Sequence, residues 1–124
     1  MKYKLIKRRN PSNPYSYNKF HAIPVYHSLV DMKEIAKEIS ERSSLSSGDV
    51  FNVLQNLTDI LPRYLTDGKR IQLGDLGIFR LLFSSEGVDN KDDFKLSKIR
   101  GIKINFSAGK EIKKQIKNIR FEKE

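Results

Sequence analysis

The hydrophobic pattern of this chain changes period more than once, and each change marks a new element. From residue 31 to 68 the period is helical. Met32, Ile35, Ala36 and Ile39 recur at i, i+3, i+4 and i+7, which makes one apolar stripe. Asp31 stands where an N-cap belongs, and Glu34 follows at capping-box spacing. A second helix is expected after Ser46, with Asp49 in a first turn whose dipole favours an anion. Val50, Val53, Leu54, Leu57, Ile60, Leu61 and Leu65 give it an apolar face too wide for one neighbour. Pro62 predicts a kink or a loosened last turn, and Gly68 a glycine stop. The join around Leu45 is short, so the two helices form an antiparallel or crossing pair.

From residue 71 the pattern alternates instead. "IQLGDLGIFRLLF" alternates at Ile71 and Leu73, reverses through Gly74 and Asp75, and resumes from Leu76 to Phe83, as a tight hairpin does. The glycines do not have dinucleotide-fingerprint spacing, and no Gly-Lys-Ser/Thr follows, so a phosphate-cradling loop is disfavoured. "SSEGVDNKDDFK" is polar and turn-rich. In the returning strand "LSKIRGIKINF", Ile102, Ile104 and Phe106 share one face, and Gly101, Lys103 and Asn105 the other. The alternation slips at Ile99, which predicts a bulge or twist at Gly101. The outer parts of both strands have little to bury, so a two-stranded arm should project from the core. "SAGKEIKKQIKNIRF" then reads as a helix, with Ser107 as cap and Ile112, Ile116 and Ile119 as the inward stripe. At the front, "KYKLIKRR" and "KFHAIPVY" look like two strands joined by the loop "NPSNPYSYN", with Pro24 confining the second to a sheet edge. Two regions result: a basic extension over 1–30 with a β-hairpin, and a domain over 31–124 whose arm covers about residues 80–105.

Composition adds a constraint on burial. With 124 residues, 38% hydrophobic and 31% charged, the chain is poorly supplied for a large private core, which self-association would offset. No apolar run approaches a membrane span, and the first residues lack a signal peptide's apolar segment, so no membrane partner is expected. Absence of cysteine removes disulfides and thiolate chemistry and permits a reducing, cytoplasmic setting. His21 and His27 have no cysteine or carboxylate cluster to complete a metal site, and Asp92–Asp93 lies in a turn-rich loop. Neither arrangement suits catalysis. No catalytic residue, metal, cofactor or small-molecule substrate is expected, and the chain reads as a non-enzyme.

Charge points to a partner. Residues 1–30 carry six bases and no acid, residues 31–68 four bases and seven acids, and residues 69–124 fourteen bases and eight acids. Two basic ends around an acidic middle suit a polyanion, and nucleic acid is the commonest in a cytoplasm. Lys110, Lys113, Lys114, Lys117 and Arg120 on the last helix are phosphate-contact candidates.

These segments together resemble the bacterial histone-like HU/integration host factor family over residues 31–119. "LGDLGIF" is similar to that family's Gly-Phe-Gly-x-Phe hairpin, with Leu76 for the first aromatic and Phe79 retained. "FSAGKEIKK" resembles its Phe-x-x-Gly-Lys-x-x-Lys signature, with Phe106, Gly109, Lys110 and Lys113 in place. The first thirty residues have no counterpart, so the chain looks like an N-terminally extended branch. The resemblance implies an α+β fold: two helices, a hairpin running into a projecting two-stranded arm, a short C-terminal helix, the added N-terminal hairpin, and an intertwined dimer. Leu54, Leu57, Leu61, Leu76, Phe79 and Phe106 would form the dimer core.

It also implies a nucleoid-associated protein of the cytoplasm that binds double-stranded DNA with little sequence preference. The partner subunit would be a second copy, with a heterodimer with a paralogue as the alternative. By position, Lys110 and Lys113 would meet phosphates and Arg80 would lie at the arm's root. Lys95, Lys98, Arg100 and Lys103 on the returning strand extend the footprint with Lys114 and Lys117, and Lys7, Arg8 and Arg9 offer a further basic run. The family's arginine-rich tip with its kinking Asn-Pro pair is absent; Glu86, Asp89, Asp92 and Asp93 stand there instead, so intercalative bending is not expected. That loss favours the rival reading, a structural or protein-interaction module on the same scaffold with weak or no DNA bending. RNA binding is a third, without a recognisable stacking motif.

Overall fold

A computed structural model describes all residues except 10, 14, 16 and 17, so the loop expected over 10–18 lies partly outside the described residues. The elements run β1 (Lys2–Arg8), β2 (Lys19–Val25), α1 (Met32–Glu41), α2 (Ser47–Thr66), β3 (Ile71–Gln72), β4 (Gly77–Ser85), β5 (Ile99–Ala108), α3 (Lys110–Lys117) and β6 (Glu122–Lys123). They fall into two compact units: residues 31–114, and residues 1–30 together with 115–124. The described residues form a mixed α+β fold with three α-helices and two small sheets.

In the larger unit the helix ends follow their capping chemistry. Asp31 Oδ1 accepts the Glu34 N–H at 2.9 Å, and Ser46 Oγ accepts the Asp49 N–H at 3.1 Å. Each satisfies an otherwise unpaired amide of a first turn. Helix α2 passes through Pro62 to Thr66 rather than ending there, and Thr66 Oγ1 donates to the Pro62 carbonyl at 2.9 Å. It closes with two bonds, Gly68 N–H to Leu65 O and Lys69 N–H to Tyr64 O, both 3.0 Å, the six-to-one and five-to-two pair of a Schellman ending. Helices α1 and α2 pack together, and α2 also packs on β3 and β4.

The second sheet has the order β3-β4-β5, antiparallel throughout. Its first reversal is longer than the sequence suggests. Gly74–Leu76 form one turn of 3-10 helix, the Leu73 N–H bonds to Gly77 O at 3.0 Å, and the second strand starts at Gly77 and runs to Ser85. Leu76 therefore belongs to the turn. The β4–β5 ladder shifts register between Leu82 and Ser84, leaving one extra residue on β5 where Gly101 has φ 67°. The slip at Ile99 and Gly101 in the sequence is this bulge.

Ser107 does not cap α3. It lies inside β5, and its Oγ donates to Asn105 Oδ1 at 3.4 Å. The strand continues to Ala108, so the helix opens at Gly109, whose carbonyl accepts the Lys113 N–H at 3.1 Å. Ile116 and Ile119, expected to face inward, are 55% and 42% exposed, and Ile112 is half-buried.

The smaller unit is a three-stranded sheet in the order β2-β1-β6. β1 and β2 pair antiparallel from Lys2 opposite Val25 to Arg8 opposite Lys19, and Pro24 does lie on an edge strand. The strand β6, which no hydrophobic pattern marks, joins β1 in parallel, Lys2 beside Glu122 and Tyr3 beside Lys123. The N-terminal ammonium donates to the Arg120 carbonyl at 2.7 Å, which fastens the same end of the sheet.

Candidate nucleic-acid interface

The register of the β4–β5 ribbon sorts its side chains onto two unlike faces, because directly opposed residues of an antiparallel pair share a face. Phe79 opposite Phe106 and Leu81 opposite Ile104 form the apolar face. The two rings lie 4.8 Å apart between centroids, tilted by 34°. Leu81 and Ile104 line a shallow apolar recess with Leu61, Pro62 and Leu65 of α2. On the other face stand Arg80 opposite Asn105, Leu82 opposite Lys103, and, past the bulge, Ser84 opposite Arg100. Three cations thus line one side of the ribbon, and α2 packs against the opposite side. Asn105 Oδ1 accepts from Arg80 Nε at 3.2 Å and from Ser107 Oγ at 3.4 Å, which fixes the arginine's stem; among the described residues no ion pair engages its terminal nitrogens, the bidentate donors of a guanidinium.

Two glycines set the position of α3 against the ribbon base. A β-carbon on Gly109 would run into the carbonyl of Asp75, and one on Gly77 would run into the carbonyl of Ser107 and come 2.7 Å from the Phe106 ring. The backbone hydrogen bond from Gly109 N–H to Leu76 O, 2.9 Å, needs that close approach. The two stretches singled out in the sequence, "LGDLG" and "FSAGK", are therefore one contact. From that anchor α3 presents Lys110, Lys113, Lys114 and Lys117 at i, i+3, i+4 and i+7, a single exposed stripe opposite Ile112 and Ile116.

The remaining predicted cations are placed differently. Lys98 Nζ lies 3.1 Å from Glu86 Oε2, and Arg100 Nη1 lies 3.0 Å from Glu86 Oε1, so one carboxylate holds both. The Glu86 N–H also bonds to Lys98 O at 3.1 Å. Lys95 is exposed just before the short turn Leu96–Lys98. In the sequence Glu86 is one of four acids at the arm tip and Asn105 one polar position of the returning strand, with no sign of the partners they hold. The signal for either was weak, since Glu86 and Lys98 meet across a turn region with no period.

The residues expected in a dimer core all belong to the larger unit. Leu54, Leu57, Leu61 and Phe79 are half-buried, whereas Leu76 and Phe106 are exposed at 47% and 43%. Among the described residues, no group of histidine and carboxylate side chains could hold a metal ion, and no helix is long and apolar enough to cross a membrane.

This arrangement, a helix pair under a ribbon with a short basic helix at its base, is that of the HU proteins. The chain belongs to the family described as HU-HIG, "HU domain fused to wHTH, Ig, or Glycine-rich motif", which matches residues 1–123 and so takes in the first thirty residues too. Its fold is similar to that of the "Anabaena HU-DNA cocrystal structure", at 18% identity and TM-score 0.56, covering 73% of this chain and 100% of that one. It is also similar to a protein from Bacteroides vulgatus ATCC 8482 named "Putative bacterial DNA binding protein", at 13% identity and TM-score 0.58. That likeness covers 98% of this chain but only 47% of the Bacteroides chain, so the present chain spans about half of that relative. At these identities the likeness is one of fold. No curated protein sequence matches this chain.

Proposed function

We propose that this chain is a non-enzymatic, duplex-DNA-binding protein of nucleoid type that acts as a homodimer in the cytoplasm with little sequence preference. The observation that carries the reading is the polar face of the ribbon. Arg80, Lys103 and Arg100 stand in line there, and the lysine stripe of α3 adds Lys110, Lys113, Lys114 and Lys117. Such contacts gain affinity by releasing condensed counterions and carry no base information. The Anabaena relative was crystallised with DNA, which supports the same partner here.

Burial supports the second copy. Among the described residues only Ala36, Val50 and Leu65 are buried apolar side chains, while Val53 and Ile104 are 61% and 62% exposed. Fully covering such a side chain is worth about 1.5–3 kcal/mol, and a twin subunit laid on α2 and the apolar ribbon face would cover several.

Mobility shifts on several unrelated duplexes test the reading. Reversing Lys110 and Lys113 to glutamate should weaken binding to all of them by a similar factor, and losses confined to one sequence would contradict it. Glu86 favours one alternative, a protein-interaction module on the HU scaffold, because it neutralises two ribbon cations. Stoichiometric recovery of one protein after nuclease treatment, with no duplex binding, would establish that alternative.

A further inference from the structure

The β1–β2 ladder sorts the front segment's cations in a way that charge counting does not. Lys2, Lys4, Ile6 and Arg8 share a face with Val25, Ile23, His21 and Lys19, while Tyr3, Leu5 and Lys7 share the other with Pro24, Ala22 and Phe20. The first face, the basic one, carries four of the ladder's five lysines and arginines among Ile6, Ile23 and Val25, and the other is apolar apart from Lys7 and the Tyr3 hydroxyl. Lys4, Arg8, Lys19 and His21 are exposed. Two acids of the last strand follow the basic face at one end: Glu122 pairs beside Lys2, and Glu124, whose N–H bonds to Tyr3 O at 3.0 Å, comes next toward Lys4; neither reaches Arg8 or Lys19 at the other end. Among the described residues, no ion pair engages Lys4, Arg8 or Lys19.

Arg8 and Lys19 sit directly opposite each other. Like charges so placed on a sheet are destabilising, and a surface built only for solubility mixes its signs. A bound polyanion turns that repulsion into attraction. At about 3.3 Å per residue the face spans roughly 20 Å from Lys2 to Arg8. One strand of B-DNA presents about six phosphates over that length, at 3.4 Å of axis each. The chemistry favours a duplex backbone over other polyanions. The aromatic rings Tyr3 and Phe20 lie on the opposite face, so the basic face offers no stacking platform for unpaired RNA bases. Its apolar members, Ile6, Ile23 and Val25, are half-buried and give no wedge for a lipid headgroup layer.

We infer that the basic face of the N-terminal sheet is an additional contact surface for the DNA phosphate backbone, carried by Lys4, Arg8 and Lys19. This rests on the DNA-binding reading above, and one experiment separates the two. The unmodified chain, the triple variant Lys4→Gln/Arg8→Gln/Lys19→Gln and the opposite-face control Lys7→Gln are titrated against a labelled mixed-sequence duplex over a range of salt. Far-ultraviolet circular dichroism checks folding, and Arg8→Gln alone serves if the triple variant melts early. The slope of log affinity on log salt should become shallower by about two to three units in the triple variant, since each phosphate contact contributes about 0.9. The β1–β2 register corrects the run Lys7, Arg8 and Arg9 expected from the sequence, since it sets Lys7 beside Phe20 on the face opposite Arg8, so Lys7→Gln should leave the slope within about half a unit. A triple variant with wild-type slope and affinity overturns the inference while wild-type binding upholds the broader reading; wild type that fails to bind sinks both. Loss of binding only to structured RNA or to anionic vesicles, with duplex binding intact, also overturns it.

Discussion

The two ends of the β4–β5 ribbon are held by different forces. At the base, the Gly109 and Gly77 backbones press against Asp75 and Ser107, and Phe79 packs on Phe106. At the outer end, Glu86 clasps Lys98 and Arg100 through partly exposed ion pairs. Contacts of the first kind are short-ranged and indifferent to salt. Those of the second weaken with ionic strength and compete with any phosphate for the same cations. The base thus fixes where the basic helix and ribbon stand, and the outer end sets how many cations are available to a ligand.

The comparison breaks most sharply at Gly109. Gly109→Ala should lower stability by about 3 kcal/mol or more, because the new methyl meets backbone and cannot be relieved by a side-chain rotation. The urea midpoint should fall with an unchanged slope, and the loss should be the same in low and high salt. Phe106→Ala, at a ring left partly exposed, should cost less, about 1–2 kcal/mol by the same measurement. Replacing Arg80 and Lys103 by glutamine should leave stability nearly unchanged but make the salt slope of duplex binding shallower by about two units. The smallest effect should come from Glu86→Gln. Stability should change by less than about 1 kcal/mol, while duplex affinity rises severalfold at low salt and the gain fades as salt is added. A fall in affinity would show that the clasp orders the outer end rather than masking its charge.

Much of the base was legible in the sequence and little of the outer end was. Helix limits followed from Asp31, Ser46 and Gly68, whose effects act within one turn. The bulge at Gly101 showed as a slip in strand alternation. Ser107 misled because a serine before a lysine-rich helix has the signature of a cap, whereas tertiary contact between Gly109 and Asp75 extends the strand past it. Strand β6 is two charged residues with no period, and it exists through pairing with β1. The clasp at Glu86 joins residues far apart in an aperiodic loop, where a sequence shows charge but not partner. For the interface, the register was the missing information. Charge counting located the basic stretches, and only strand pairing showed that Arg80, Lys103 and Arg100 share a face.

The salt dependence of duplex affinity for the unmodified chain tests the central claim most directly. If the ribbon and α3 grip phosphates, log affinity should fall linearly with log salt, with a slope of about −3 or steeper between roughly 50 and 200 mM. A flat response over that range, or no duplex binding at its lower end, would contradict the account.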